Sequence, residues 1–238
     1  MLFPSPLFQS LHRYRSNVTG FALFTSLARQ GILAEAAWTS AGEELIGTED
    51  LAPYRLVILG TPEYTRDHPE VPGLLMDYVR GGGALFLPLG EAGRLQDPYG
   101  KWRGAPALAE LAGAASAERE PCPRIGPLRV EHPSFALDLP ASWELDTDEE
   151  ACLTRVAPAD GAEVLVRTGA DPLLYRHSVG KGTVYAFTWS LDALLFRSKE
   201  VDYAGDDWDW LWEGIACELG LECDPSNPIA EAIRDVMR

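Results

Sequence analysis

Two apolar segments separated by a helix-length stretch constrain the fold of this chain more than any other feature. The segment "YRLVILG" (54–60) is a continuous apolar run with the β-branched residues Val57 and Ile58, as in strands buried on both faces of a parallel sheet. A second apolar run, "ALFLP", covers 84–88. Between the two runs, the spacing predicts a helix that ends at the glycines 81–83, with an apolar face of Leu74, Leu75, Tyr78 and Val79. Strand, helix, glycine turn and strand predict a right-handed βαβ unit and a parallel sheet.

The flanking segments extend this α/β pattern. Residues 15–31, "RSNVTGFALFTSLARQG", predict an amphipathic helix capped by Asn17 and stopped by Gly31, and 32–38 predict the strand after it. Three further strands are predicted at 163–167, 172–177 and 182–189, the last two joined by the turn "SVGKG". A deeply packed helix follows, with an apolar stripe made of Trp208, Leu211, Trp212, Ile215, Ala216 and Leu219. A last short helix begins with Asn227 as cap and Pro228 in its first turn.

Residues 94–145 interrupt the pattern because they are rich in Pro, Gly, Asp and Arg. We predict an irregular excursion over the sheet there, apart from a short helix at 107–113. No internal repeat or low-complexity linker divides the sequence. Residues 1–238 are therefore expected to form a single α/β domain.

Charge and composition exclude several classes of function. The chain has 20 Lys and Arg against 36 Asp and Glu, a net charge of −16, which argues against nucleic acid and against a membrane surface as partner. The four cysteines form no C-x-x-C pair, and the glycines at 81–83 end a helix rather than open one, unlike a phosphate loop. We therefore expect no metal site and no cofactor. With no secretion signal and no apolar run of membrane-spanning length, a cytoplasmic location is expected.

The order of these segments resembles a known family. Residues 54–88, "YRLVILGTPEYTRDHPEVPGLLMDYVRGGGALFLP", and 162–192, "AEVLVRTGADPLLYRHSVGKGTVYAFTWSLD", are similar to the glutamine-amidotransferase-like, flavodoxin-type domain of family 42 β-galactosidases, where it is called the trimerisation domain. The resemblance implies a three-layer α/β fold with a mostly parallel sheet and a C-terminal hairpin around 180–182. It also implies a homo-oligomer, with a trimer as one form, or a larger glycosidase-type assembly. The catalytic carboxylates of that family lie in a separate TIM barrel, for which this chain has no room.

The turn after 84–88 is where class I amidotransferases, by the same resemblance, hold a nucleophilic cysteine on a sharp elbow. Here the turn reads Leu87, Pro88, Leu89, Gly90 and Glu91, and none of the first four can attack a carbonyl group. Pro88 also removes a backbone N–H from the place where an oxyanion hole needs donors. The sequence thus favours a non-catalytic domain for oligomer assembly or for binding a carbohydrate-related ligand.

A hydrolase acting on glycosides or amides is the alternative. Glu63 and Glu91 each follow a predicted strand, so both could face one crevice at the carboxyl ends of the sheet and act as acid and base. Solvated loop charges are the structural explanation of the same two residues. His68 and His132 each precede a proline, which predicts surface loops, whereas His177 lies in a strand and is expected to be packed or hydrogen-bonded.

Aromatic rings interleaved with carboxylates mark a candidate binding segment at 199–214, "KEVDYAGDDWDWLWEG". Rings stack on the C–H faces of sugars while acids accept hydrogen bonds from hydroxyl groups. Helix capping and the apolar stripe explain most of this segment, but Trp210 points away from the stripe. Asp202, Tyr203 and Trp210 are therefore candidate ligand or partner contacts, together with Trp102 as an interface anchor if it is exposed. Cys122, flanked by prolines, is a candidate exposed thiol.

Overall fold

The computed structural model describes residues 27, 30–32, 48–59, 71–90, 110–135, 144–146, 151–190, 209–221, 226, 228 and 231–232. The elements in its first half are α1 (Thr48–Leu51), β1 (Leu56–Ile58), α2 (Val71–Gly81), β2 (Ala84–Pro88), β3 (Ala114–Pro121), β4 (Arg124–Ile125) and β5 (Leu128–Val130). A 3-10 turn (Pro133–Phe135), β6 (Leu145–Asp146), β7 (Cys152–Pro158), β8 (Glu163–Thr168), β9 (Asp171–Val179), β10 (Gly182–Phe187) and α3 (Asp209–Leu219) follow.

The predicted βαβ unit is present. Strand β1 pairs in parallel with β2, with Leu56 opposite Ala84 and Ile58 opposite Phe86, and α2 lies between them in sequence. The other edge of β2 pairs in parallel with β10. All five residues of β2 are buried, as the uninterrupted apolar run predicts for a strand covered on both faces.

The described part of the sheet is mixed rather than mostly parallel. Its six described strands follow the order β1-β2-β10-β9-β8-β5. The pairs β1–β2 and β2–β10 are parallel, whereas β10–β9, β9–β8 and β8–β5 are antiparallel. The expectation of a mostly parallel sheet is therefore wrong for the described strands. The reason is local: only Gly180 and Lys181 separate β9 from β10, and only Gly169 and Ala170 separate β8 from β9, and such short connections join antiparallel strands.

The predicted irregular excursion at 94–145 contains strands in its described part, which corrects the prediction there. Strand β3 pairs antiparallel with β7, β4 pairs with β6, and β5 forms one edge of the six-stranded sheet. The sequence of β3, "AASAEREP", lacks the β-branched and aromatic residues that mark a strand, so pairing with a distant segment decides its structure. Residues 110–112 are helical, within the short helix predicted at 107–113.

Side chains of the central strands alternate between two apolar clusters, one on each face of the sheet. On the first face, α2 packs over the sheet through a cluster that includes Val57, Leu85, Leu87, Val184, Ala186, Leu75, Met76 and Val79. On the second face, α3 packs through a cluster that includes Ile58, Phe86, Tyr185, Phe187, Leu211, Trp212 and Ile215. The rings of Phe86 and Trp212 lie 5.1 Å apart, so the central strand contacts α3 directly.

The predicted helix at 15–31 and strand at 32–38 lie almost wholly outside the described residues. The predicted C-terminal helices agree with the structure where it describes them. In α3, the stripe residues Leu211, Trp212, Ile215 and Ala216 are buried, and Pro228 is helical.

None of the helices in the described part of the chain combines the length and the apolar character needed to cross a membrane.

Gly182, the first residue of β10, allows the close packing of β10 against the end of α2 to be tested. A Cβ atom there would lie 2.1 Å from the carbonyl oxygen of Val79 and 2.2 Å from that of Gly83, so both the end of α2 and the turn after it would have to move. We expect Gly182→Ala to lower the free energy of unfolding by about 3 kcal/mol or to prevent folding. Urea unfolding followed by tryptophan fluorescence measures the change.

Gly73 in α2 is the matched control, because a Cβ atom there meets nothing within 4 Å. Gly73→Ala is expected to raise the free energy of unfolding by about 0.5 kcal/mol, since alanine loses less backbone entropy in a helix. Equal effects of the two substitutions would contradict the close packing at Gly182.

Candidate functional site

The turn at the carboxyl end of β2 is the place where the resemblance to class I amidotransferases implies a nucleophile. Leu87 and Leu89 are fully buried. The Leu89 N–H donates to the carbonyl oxygen of Phe187 at 2.6 Å, and the Leu89 carbonyl accepts a hydrogen bond from Thr154 Oγ1 at 2.5 Å. Because Pro88 has no N–H, neither residue has a backbone donor left to stabilise an oxyanion.

Gly90 closes the turn against the chain that leaves β10. A Cβ atom at this position would lie 2.0 Å from both the carbonyl carbon and the carbonyl oxygen of Trp189. Backbone atoms cannot move aside as the end of a flexible side chain can. Position 90 therefore has no room for a serine or cysteine side chain.

Strand β7 covers the carboxyl end of β10 through paired polar groups. The Thr154 N–H donates to the carbonyl oxygen of Thr188 at 2.7 Å, and the Ser190 N–H donates to that of Cys152 at 3.0 Å. The Cys152 N–H donates in turn to Ser190 Oγ at 2.9 Å. Thr154, Thr188 and Ser190 are all buried. These hydrogen bonds occupy groups that a ligand would otherwise meet at the end of β10.

Most of the predicted site residues lie outside the described residues: Glu63, Glu91, Trp102, Asp202 and Tyr203. A shared crevice for Glu63 and Glu91 therefore stays a prediction. Trp210 is described, and it is not available to a ligand: its side chain is buried, and its ring packs edge-on against Phe135, with ring centroids 6.4 Å apart. The 3-10 turn that carries Phe135 covers this side of α3, so the helix is buried beyond its predicted stripe.

A row of polar side chains crosses the α3 face of the sheet, and the sequence did not predict it. Glu163, Arg176 and Tyr185 stand opposite one another on β8, β9 and β10. Arg176 donates to Glu163 Oε2 through Nε at 3.0 Å and Nη2 at 2.7 Å. Glu218, near the end of α3, accepts a hydrogen bond from the Tyr185 hydroxyl at 2.9 Å and lies 2.7 Å from Arg176 Nη1.

His132 lies in the loop between β5 and the 3-10 turn, as predicted, and it joins this row from there. Its Nδ1 lies 3.2 Å from Glu218 Oε1 and its Nε2 lies 3.8 Å from Glu163 Oε1, and its side chain is only partly exposed. We call His132, Glu163, Arg176, Tyr185 and Glu218 the polar row. Its members come from three strands, one helix and the loop after β5, and no spacing in the sequence brings them together.

Charge and burial shift the pKa values of Arg176 and Tyr185 in the polar row. The Glu218 side chain is only 5 % exposed, so its burial is costly without the charged and hydrogen-bonding groups around it. Burial acts to lower the pKa of Arg176, but the hydrogen bond to Glu163 and the charge of Glu218 outweigh it and raise the pKa. Burial, together with the hydrogen bond to Glu218, raises the pKa of Tyr185, which keeps its hydroxyl a neutral donor. These groups anchor the end of α3 to the sheet.

His177 and Cys122 have the contacts of structural residues rather than of reactive ones. His177 Nε2 lies 2.7 Å from the carbonyl oxygen of Leu111, and burial lowers its pKa, which fits the predicted packed and hydrogen-bonded residue. Cys122 is half-buried, its thiol contacts the carbonyl oxygen of Arg124 at 3.1 Å, and burial raises its pKa. A raised pKa is the opposite of what activates a thiol. Among the described residues, no group of three or more His, Cys, Asp or Glu could hold a metal ion.

An open groove of about 440 Å³ lies at the opposite end of the sheet, at the amino ends of β1, β2 and β10. Arg55 and Lys181 are among its lining residues, with Asp77 as an acid. The Arg55 guanidinium donates to the carbonyl oxygens of Leu219 and Gly220, so it caps the end of α3. Ligand sites in parallel α/β sheets lie beyond the carboxyl ends instead.

The fold and this site define a mixed α/β protein with a central sheet, compatible with the flavodoxin-like class. No family model and no curated protein matches the sequence. Cytoplasmic protein STM3548 from Salmonella typhimurium superposes with a TM-score of 0.56 at 14% identity, covering 81% of this chain and 85% of that one. A ThuA-like protein from Bacteroides uniformis gives 0.52 at 12% identity, covering 89% of each chain.

A GH42 β-galactosidase from G. stearothermophilus, Gan42B, shares the fold with a TM-score of 0.56 at 14% identity. The match covers 93% of this chain but only 30% of the galactosidase. The chain thus spans less than a third of the enzyme and most of the two shorter proteins. At these identities the likeness is one of fold alone.

The polar row predicts unequal effects for its two carboxylates. Glu218→Gln removes a buried charge and leaves Arg176 and His132 facing a neutral amide, so we expect the free energy of unfolding to fall by about 2 kcal/mol. Glu163→Gln, at a carboxylate that is 49 % exposed, is the matched control and should cost about 0.5 kcal/mol. Urea unfolding at pH 7 measures both, and a larger loss for Glu163→Gln would contradict the assigned burial.

Because of His177, we expect the folded protein to lose stability in acid. Its pKa is lowered in the folded state, so the unfolded chain, with a pKa of about 6.5, binds the proton more readily. The contribution of His177 to stability is thus present above that value and is lost as the pH falls through the folded-state pKa. We expect wild type to lose more stability between pH 8 and pH 5 than His177→Gln, measured by urea unfolding at each pH. Equal losses in the two proteins would refute the effect.

Proposed function

We propose that this chain is a non-catalytic, class I glutamine amidotransferase-like domain of three-layer, flavodoxin-like type, acting in oligomer assembly or in binding a carbohydrate-related ligand. The observation that carries the proposal is the closed elbow after β2. Position 90 has no room for a side chain beside Trp189, and the backbone groups of Leu89 are used within the fold. An acyl-transfer site needs both a nucleophile and oxyanion donors at this turn.

The structural neighbours supply the context for assembly. A domain of this fold forms part of a GH42 β-galactosidase, and chains of about this length with the same fold occur on their own. A domain that catalyses no reaction at the turn after β2 can still provide a surface for contacts between subunits. On this proposal the partner is a second copy of the chain, with a trimer as the first form to test, or a larger glycosidase-type assembly.

The location and the ligand follow from the same proposal. STM3548 is named a cytoplasmic protein, and a cytoplasmic location is proposed here as well. The net charge of −16 supports partners other than nucleic acid or a membrane surface. Asp202, Tyr203 and Trp102 are the proposed ligand or partner contacts, whereas Trp210 is withdrawn because its ring is buried against Phe135.

Molar mass in solution tests the assembly. Light scattering on a sizing column at micromolar concentration is expected to give a defined oligomer, with three times the 26.1 kDa of one chain as the expected value for a trimer. Trp102→Ala should shift the distribution toward the single chain, because aromatic anchors carry much of the energy of an interface. Lys101→Ala is the matched control at the neighbouring position. A monomer at all concentrations would contradict self-assembly.

Hydrolysis tests the proposal against its alternative. Aryl glycosides and glutamine, each incubated with the purified chain, are expected to release product at the rate of the buffer alone. Glu63→Gln and Glu91→Gln should leave that rate unchanged. Turnover in wild type that falls at least a hundredfold in Glu91→Gln, with the fold intact by circular dichroism, would replace this proposal with a carboxylate hydrolase.

A further inference from the structure

We draw no further inference here: the strongest candidate, the polar row of His132, Glu163, Arg176, Tyr185 and Glu218 between α3 and the sheet, has its charged groups paired with one another, and nothing in the described part of the chain shows a ligand position beside them.

Discussion

Strand β2 is the element on which the other described parts of the fold depend. It pairs in parallel with β1 on one edge and with β10 on the other, and its side chains alternate between the clusters beneath α2 and α3. Burying one large apolar side chain contributes about 2 kcal/mol, and Phe86 and Leu87 are both fully buried. Since β2 contributes to both clusters, a change in it disturbs both faces of the sheet.

The same burial decides the character of the turn that follows β2. Leu89 is fully buried, and its N–H and carbonyl are both bonded within the protein. A catalytic elbow in an α/β hydrolase must instead expose its residue above the sheet. The close approach of Gly90 to Trp189 and the cover provided by β7 give this end of the sheet the character of a packed core. The lack of an attacking side chain at residues 87–90 and the buried geometry of the turn are therefore two independent observations that agree.

The polar row shows how a buried charge, the carboxylate of Glu218, is stabilised in this fold. Burying a carboxylate is costly unless charged and hydrogen-bonding partners surround it, and Glu218 has Arg176, His132 and Tyr185 around it. Such a group specifies where the helix end lies on the sheet, because only one position places the carboxylate between its partners. Arg55 acts at the same helix end by donating to the carbonyl oxygens of Leu219 and Gly220.

The sequence by itself determined the local elements whose patterns are strong: the βαβ unit of β1, α2 and β2, the three strands after residue 162, and the buried stripe of α3. It also determined that residues 87–90 contain no side chain that can attack a carbonyl group, because this depends only on which residues follow the strand. Tertiary structure alone decided that β3 is a strand, that Trp210 is buried, and that His132 faces two carboxylates. Each of these depends on contacts between residues far apart in sequence, and local propensity is too weak to predict such contacts.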